Sequence, residues 1–302
     1  MARPTVSFRN TILLIVVLFS SYCSATNTGI DLVGSTPGDE SIKSVLSISA
    51  DLKVDFIRWD LKLDNNNKFD LDITYGESQP NTLGFIDGGQ KQNIKGAYLI
   101  TKNVGNKSFK EVYQLKSDDL SENISLVKLN ENVFHILTSQ NQLMIGNGGW
   151  SYSLNRKTPV DPGKILISSP VLDDKSSQHI FDGRTPCQEI ASEHPEMNAG
   201  TSCFKIKWRL TLNRDAVTHR PTACTIRNIV NNRPRDISGK WEVINGTAEN
   251  PDVIIYKIKP DNLAGPILLF AGDGNVLFFV DENYKPFTGN EDFSFVLNKK
   301  LQ

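Results

Sequence analysis

Histidine, cysteine and methionine are scarce in this chain of 302 residues, with 4 His, 4 Cys and 3 Met. That leaves little material for a nucleophile and its base. No Gly-x-Ser-x-Gly, His-Glu-x-x-His, phosphate loop or dinucleotide fingerprint occurs. His135 falls in an apolar strand, and His179, His194 and His219 fall in polar segments without a partnering pattern. Adjacent acids such as Asp118-Asp119 and Asp173-Asp174 sit in turns, where solvated charge explains them. An enzyme is not expected. A charge of one sign is also missing: Lys+Arg 33 against Asp+Glu 34 gives no field for nucleic acid or an anionic membrane. After the first 25 residues, no apolar run approaches the roughly 20 residues of a membrane-spanning helix.

What the chain does have is a copy of itself. At a constant shift of 143 positions, Ile94 to Arg156 aligns without a gap onto Ile237 to Lys299, with 15 identities in 63 positions. These include Gly96/Gly239, Tyr113/Tyr256, Gly146-Asn147/Gly289-Asn290 and Leu154-Asn155/Leu297-Asn298. Upstream, a shift of 149 places Ile57-Arg58-Trp59-Asp60-Leu61 on Ile206-Lys207-Trp208-Arg209-Leu210. A period this long means tandem domains, because each copy can enclose its own core.

Each copy reads as strands. Ile57, Trp59, Leu61 and Leu63 alternate with Arg58, Asp60 and Lys62, as Ile206, Trp208, Leu210 and Leu212 do with Lys207, Arg209 and Thr211. Period two with one apolar and one charged face marks a strand covering a core. Turn residues recur at intervals, and about eight strands per copy suit a small closed antiparallel barrel. The fold class expected is all-β, with two tandem lipocalin-like barrels. Large residues such as Trp59, Phe69, Tyr98 and Trp150 are expected inside the first, filling it. A short helix is expected after Thr36-Pro37 and, with Thr as cap and Pro at its first position, over the matching Thr185-Pro186-Cys187-Gln188-Glu189-Ile190.

Arg3 and Arg9 precede the apolar run Ile12 to Phe19, which reads as an export signal over 1–25. Cleavage after Ala25 would discard Cys23 and give a soluble protein. Lipidation of Cys23 would tether the protein to a membrane, although Ser20-Ser21-Tyr22-Cys23 places Tyr where a small residue belongs. The units expected are barrels over 26–158 and 165–302, joined by a linker over 159–164 containing Pro159, Pro162 and Gly163.

Phe181-Asp182-Gly183-Arg184-Thr185-Pro186-Cys187, the alternating Trp208 strand, Gly239-Lys240-Trp241, Tyr256 and a closing aromatic strand come in an order found in both copies. That order resembles the NlpE-type N-terminal domain of envelope lipoproteins. The resemblance implies a lipocalin-like barrel and a link to copper homeostasis, adhesion or envelope-stress sensing at the bacterial outer membrane. The family's copper-associated feature is a Cys-x-x-Cys pair soon after the Pro. Here Cys187 stands at its first position, Ile190 at its second, and Gly38 at the first position of the other copy.

Two readings of the cysteines follow. In an exported chain, Cys187 and Cys203 flank a short loop whose closure is worth about 3 kcal/mol as a structural disulfide. Cys224, aligned with Leu71, is then a buried, unreactive thiol. In the second reading, Cys187, His194, Met197 and Cys203 form a soft-ligand copper(I) site, although their spacing matches no fixed template. The expectation is a non-enzymatic cell-envelope protein that binds or senses, with no cofactor beyond copper. Its rivals are a soluble carrier of a small hydrophobic ligand and, more remotely, a hydrolase with residues scattered over loops.

Overall fold

A computed structural model of the chain describes residues 29–104, 108–170, 175–187, 190, 192, 194, 203–230 and 233–300. The first unit holds β1 (Ile30–Pro37), α1 (Glu40–Val45), β2 (Phe56–Leu63), β3 (Lys68–Gly76), β4 (Gln90–Val104), β5 (Phe109–Lys116), β6 (Ile124–Lys128), β7 (Val133–Leu137) and β8 (Ser153–Arg156). The second holds β9 (Gln178–Thr185), β10 (Ile206–Arg214), β11 (Pro221–Val230), β12 (Arg233–Asn245), β13 (Ile254–Pro260), β14 (Ile267–Ala271), β15 (Val276–Val280) and β16 (Val296–Lys299). Each set pairs with its sequence neighbours and closes, β8 on β1 and β16 on β9, giving two closed barrels of eight antiparallel strands. Closure leaves no long free edge for strand exchange between copies.

Alternation decides which face turns inward. In β2, Trp59, Leu61 and Leu63 are buried in the first core with Phe69, Leu71, Ile94, Phe134 and Tyr152. In β10, Trp208, Leu210 and Leu212 are buried in the second with Ile237, Trp241, Phe279 and Phe295. Neighbouring strands come close where β4 and β12 carry Gly96 and Gly239. A Cβ there would lie 2.1 Å and 2.3 Å from the carbonyl oxygens of Lys116 and Lys259, so only glycine lets the strands approach. In α1, Asp39 caps the helix, its carboxylate accepting from the Ile42 N–H. Of the matching helix in the second unit, only Ile190 and Ser192 are described, and both are helical.

A third core lies between the barrels. Val112, Val127, Val133 and Leu137 of the first unit meet Ile255, Phe270, Val276, Phe278 and Val280 of the second. Val112/Ile255, Val127/Phe270, Val133/Val276 and Leu137/Val280 are equivalent positions in the two copies, each on the outer barrel face. The same patch therefore serves on both sides, as in a twofold homodimer interface. The connection from Arg156 to Gln178 is longer than the segment 159–164 expected as a linker. Ile165 and Ile167 are buried in this shared core. The Ser169 hydroxyl donates to the Ala271 carbonyl and accepts from the Ile254 N–H, tying the connection to the second barrel.

Candidate functional site

The equivalence of the copies extends to polar contacts, buried for the first pair. Trp59 Nε1 donates to Thr36 Oγ1 at 2.9 Å, and Trp208 Nε1 donates to Thr185 Oγ1 at 2.9 Å. Tyr98 Oη donates to the Asp64 carbonyl at 2.6 Å, and Trp241 Nε1 donates to that of Asn213 at 2.8 Å. The large side chains of each core occupy the barrel interiors. Trp59 and Phe69 point inward as expected, and Tyr98 lies half-buried against the core.

Cys187 and Cys203 are joined as a disulfide, with Cα atoms 6.1 Å apart. It ties the residue two past the end of β9 to the segment entering β10. The first copy has the same two chain points in contact without sulfur: a Cβ on Gly38 would lie 2.4 Å from Val54 Cγ1. The bond therefore covalently reinforces a contact the fold already makes. While it is formed, neither sulfur is a thiolate. His194 is buried, Met197 and Cys23 lie outside the described residues, and no group of three or more His, Cys, Asp or Glu placed to hold a metal occurs among the described residues.

Cys224 is a buried free cysteine, and burial pushes its thiol up to about 11. Its partner in the repeat is not Leu71. Phe69 pairs with Gly96 across β3 and β4, and Cys224 pairs with Gly239 across β11 and β12, which makes Phe69 the equivalent. Exchange of Phe for Cys comes with exchange of Tyr98 for the larger Trp241, two changes of opposite size in one core.

One expected core residue lies elsewhere. Trp150, expected inside the first barrel, precedes β8 and stacks on the junction side of Phe56, centroids 4.8 Å apart and planes 7° apart. Phe85 covers the other face of Phe56 at 4.0 Å. Arg184 of the second barrel lies over the Trp150 ring at 5.2 Å. The turn Gly146 to Trp150 is pulled to the second barrel because the Gly146 N–H donates to Asn298 Oδ1 at 2.7 Å. Phe56, Trp150 and Arg184 wall a cavity of about 120 Å³ between the barrels, shared with Arg58, Lys205 and Asp292 and roofed by Gln79 to Gly84. Arg58 pairs with Asp292 and donates to the Leu83 carbonyl at 2.7 Å. Burial raises the Asp292 carboxyl above the usual carboxylate range, against the pull of Arg58.

A larger cleft of about 540 Å³ opens beside the mouth of the first barrel. It is lined by Asp39, Phe109, Met144, Tyr152, Pro170 and Asp273 among others. Tyr152 donates to the Asp39 carboxylate, and burial and that charge both push its phenol up. Asp273 accepts from the Asn275 and Val276 N–H groups at 2.7 Å and 2.9 Å, as Asn130 does from Asn132 and Val133 in the first copy. Asp273 therefore holds a turn. Neither cleft was visible in the sequence, since both arise from docking of the two copies.

The fold defines the molecule as a tandem of closed eight-stranded up-and-down barrels. No family model matches the chain, and no curated protein matches it. Among solved structures, the crystal structure of the Cpx pathway activator NlpE from Escherichia coli matches over 77% of this chain and 92% of that one, with 9% identity and a TM-score of 0.25. A likeness that slight carries no argument, so the barrels rest on the strand pairing of this chain itself.

Proposed function

We propose that this protein is a non-enzymatic, exported cell-envelope module of NlpE-like type that works by binding or sensing through the clefts between its two barrels. The observation that supports this is where space is found. The barrel interiors are occupied by Trp59, Phe134, Trp208, Phe279 and their neighbours, while open volume lies at the junction and beside the mouth of the first barrel. Export is supported by the leader-like segment 1–25 and by a disulfide, a bond that persists in oxidising compartments. The copper arm of the reading uses Cys187, His194, Met197 and Cys203 with both thiols reduced, and the bond between them counts against it.

Mass spectrometry of the mature protein tests the export reading. A start at residue 26, or a diacylglycerol adduct on Cys23, supports it, and an intact Met1 in folded protein overturns it. Metal analysis of protein exported in the presence of copper tests the copper arm: stoichiometric copper lost on Cys187→Ser supports it, and metal-free protein with the disulfide intact removes it. The second reading, a carrier of a small hydrophobic ligand, draws on the 540 Å³ cleft, a volume within the roughly 300–1,000 Å³ of small-molecule sites. A lipid retained in native mass spectrometry would favour it.

A further inference from the structure

Positive charge is concentrated and in excess in the small junction cavity, three cations against one carboxylate. Arg58, Arg184 and Lys205 line it with Asp292, and Asp292 is taken by Arg58. Among the described residues, Arg184 and Lys205 have no carboxylate ion-pair partner. Arg184 meets the Trp150 face, and Lys205 lies 5.1 Å and 5.6 Å from the ring centroids of Phe204 and Phe293. Arg58 Nε is buried without a hydrogen-bond partner. Burial holds the Arg184 guanidinium below its usual range, and burial and then Arg184 itself do the same to the Lys205 ammonium. Holding two cations together in a half-buried site costs free energy that cation–π contacts only partly offset.

Two other arginines of the second barrel are matched. Arg209 forks onto Asp182 and Arg227 onto Asp236, each with two bonds of 2.7–2.8 Å. The unmatched pair sits where residues of both barrels converge on one cavity. Guanidinium donors face a pocket walled by aromatic rings, the arrangement that takes an oxyanion by charge-assisted, often bidentate hydrogen bonds. At about 120 Å³ the cavity is well below the roughly 300–1,000 Å³ of drug-sized sites and admits a compact group only.

We propose that the cavity between the barrels, built by Arg58, Arg184 and Lys205 against the rings of Phe56, Trp150 and Phe293, is a binding site for a compact oxyanion such as phosphate. The anion is either free or the head of a larger molecule. It supplies the charge that Asp292 leaves unmet and bridges Arg58 of the first barrel to Arg184 and Lys205 of the second, so its binding stabilises their docking. The site goes beyond the reading above and does not depend on it: export and copper binding are read by other measurements.

The experiment is titration calorimetry of the full chain with inorganic phosphate, against chloride at matched ionic strength, with thermal unfolding in parallel. The expected result is saturable binding and a raised Tm, with affinity about tenfold or more weaker in Arg184→Gln and in Lys205→Met, as loss of one hydrogen bond to a charged group produces. Arg209→Gln, which removes a matched surface charge, should bind as the unmodified chain does. Without phosphate, Arg184→Gln should keep or gain thermal stability, because it relieves repulsion, and this separates lost binding from lost folding. Phosphatidylglycerol vesicles that bind the protein and release it on addition of phosphate identify a headgroup; vesicles that do not bind identify a soluble anion. Absence of phosphate binding, or binding unchanged in both pocket variants, overturns the proposal.

Discussion

Asn155 and Asn298 occupy the same position in the two copies and perform the same task across the junction. Asn155 Oδ1 accepts the Gly289 N–H at 2.8 Å, and Asn298 Oδ1 accepts the Gly146 N–H at 2.7 Å. Each asparagine sits in its barrel's last strand and caps the turn before the last strand of the other. Reciprocal contacts of this kind define a twofold interface, here formed within one chain.

Replacing either asparagine with alanine leaves a backbone N–H at the junction without its acceptor. Asn155→Ala and Asn298→Ala should each cost about 1–3 kcal/mol, and similar amounts. Denaturant unfolding of the two variants side by side checks this. A cost at one position alone would break the equivalence.

His135 and Phe278 are also equivalent, and they meet, ring centroids 5.5 Å apart and edge to face. His135 lies between the Ser153 hydroxyl, which donates to Nδ1 at 2.8 Å, and the Met144 carbonyl, which accepts from Nε2 at 2.9 Å. Burial pushes the imidazole down to about 4. An unfolded histidine titrates near 6.5, so between pH 6.5 and 4 the unfolded state binds more protons. The stability this group provides is present above pH 6.5 and lost as pH falls towards 4. In His135→Phe, the residue the second copy carries, the pH dependence in that window should flatten, as read by Tm from pH 7 to 4.

Reducing or removing the disulfide should weaken the second barrel and leave the first folded. The chain-entropy model assigns about 3 kcal/mol to a loop of this length. In Cys187→Ser/Cys203→Ser, amide exchange should accelerate in β9 and β10 more than in β1 and β2, where Gly38 and Val54 make the same contact without a bond. Equal acceleration in both barrels would contradict this.

Cys224 should resist thiol reagents in the native protein and react on unfolding, since its thiol is buried and its acidity lowered. Because the folded value is raised, its contribution to stability is full below pH 9 and declines as pH rises towards 11. Labelling at pH 8 with and without denaturant checks the exposure directly.

Much of the fold was legible in the sequence because a duplicated strand pattern tests itself: Trp59 and Trp208 alternate with charge in both copies and share a Thr partner. Register inside the repeat was less legible. The chain between the paired residues Leu212 and Cys224 is longer than that between their counterparts Leu63 and Phe69, which moves Cys224 from Leu71 to Phe69. Trp150 is not legible in this way, because an aromatic residue three before a strand looks like part of it, while its position is decided by the other barrel. The junction did leave a mark. Val133 to Leu137 and Val276 to Val280 do not alternate simply between apolar and charged residues, and all ten are buried, as strands covered on both faces are. The anion site left none, since Arg58, Arg184 and Lys205 are far apart in sequence and two of them lie on ordinary charged strand faces.

The central claim is that the two barrels form one body through the shared core of Val112, Val133, Val276 and Phe278. Scanning calorimetry of the full chain and of Phe278→Asp tests it most directly. The unmodified protein should show one cooperative transition and the variant a lower, split transition, as each barrel then unfolds alone. Two independent transitions in the unmodified protein, with Phe278→Asp leaving the first barrel's midpoint unchanged, would contradict it.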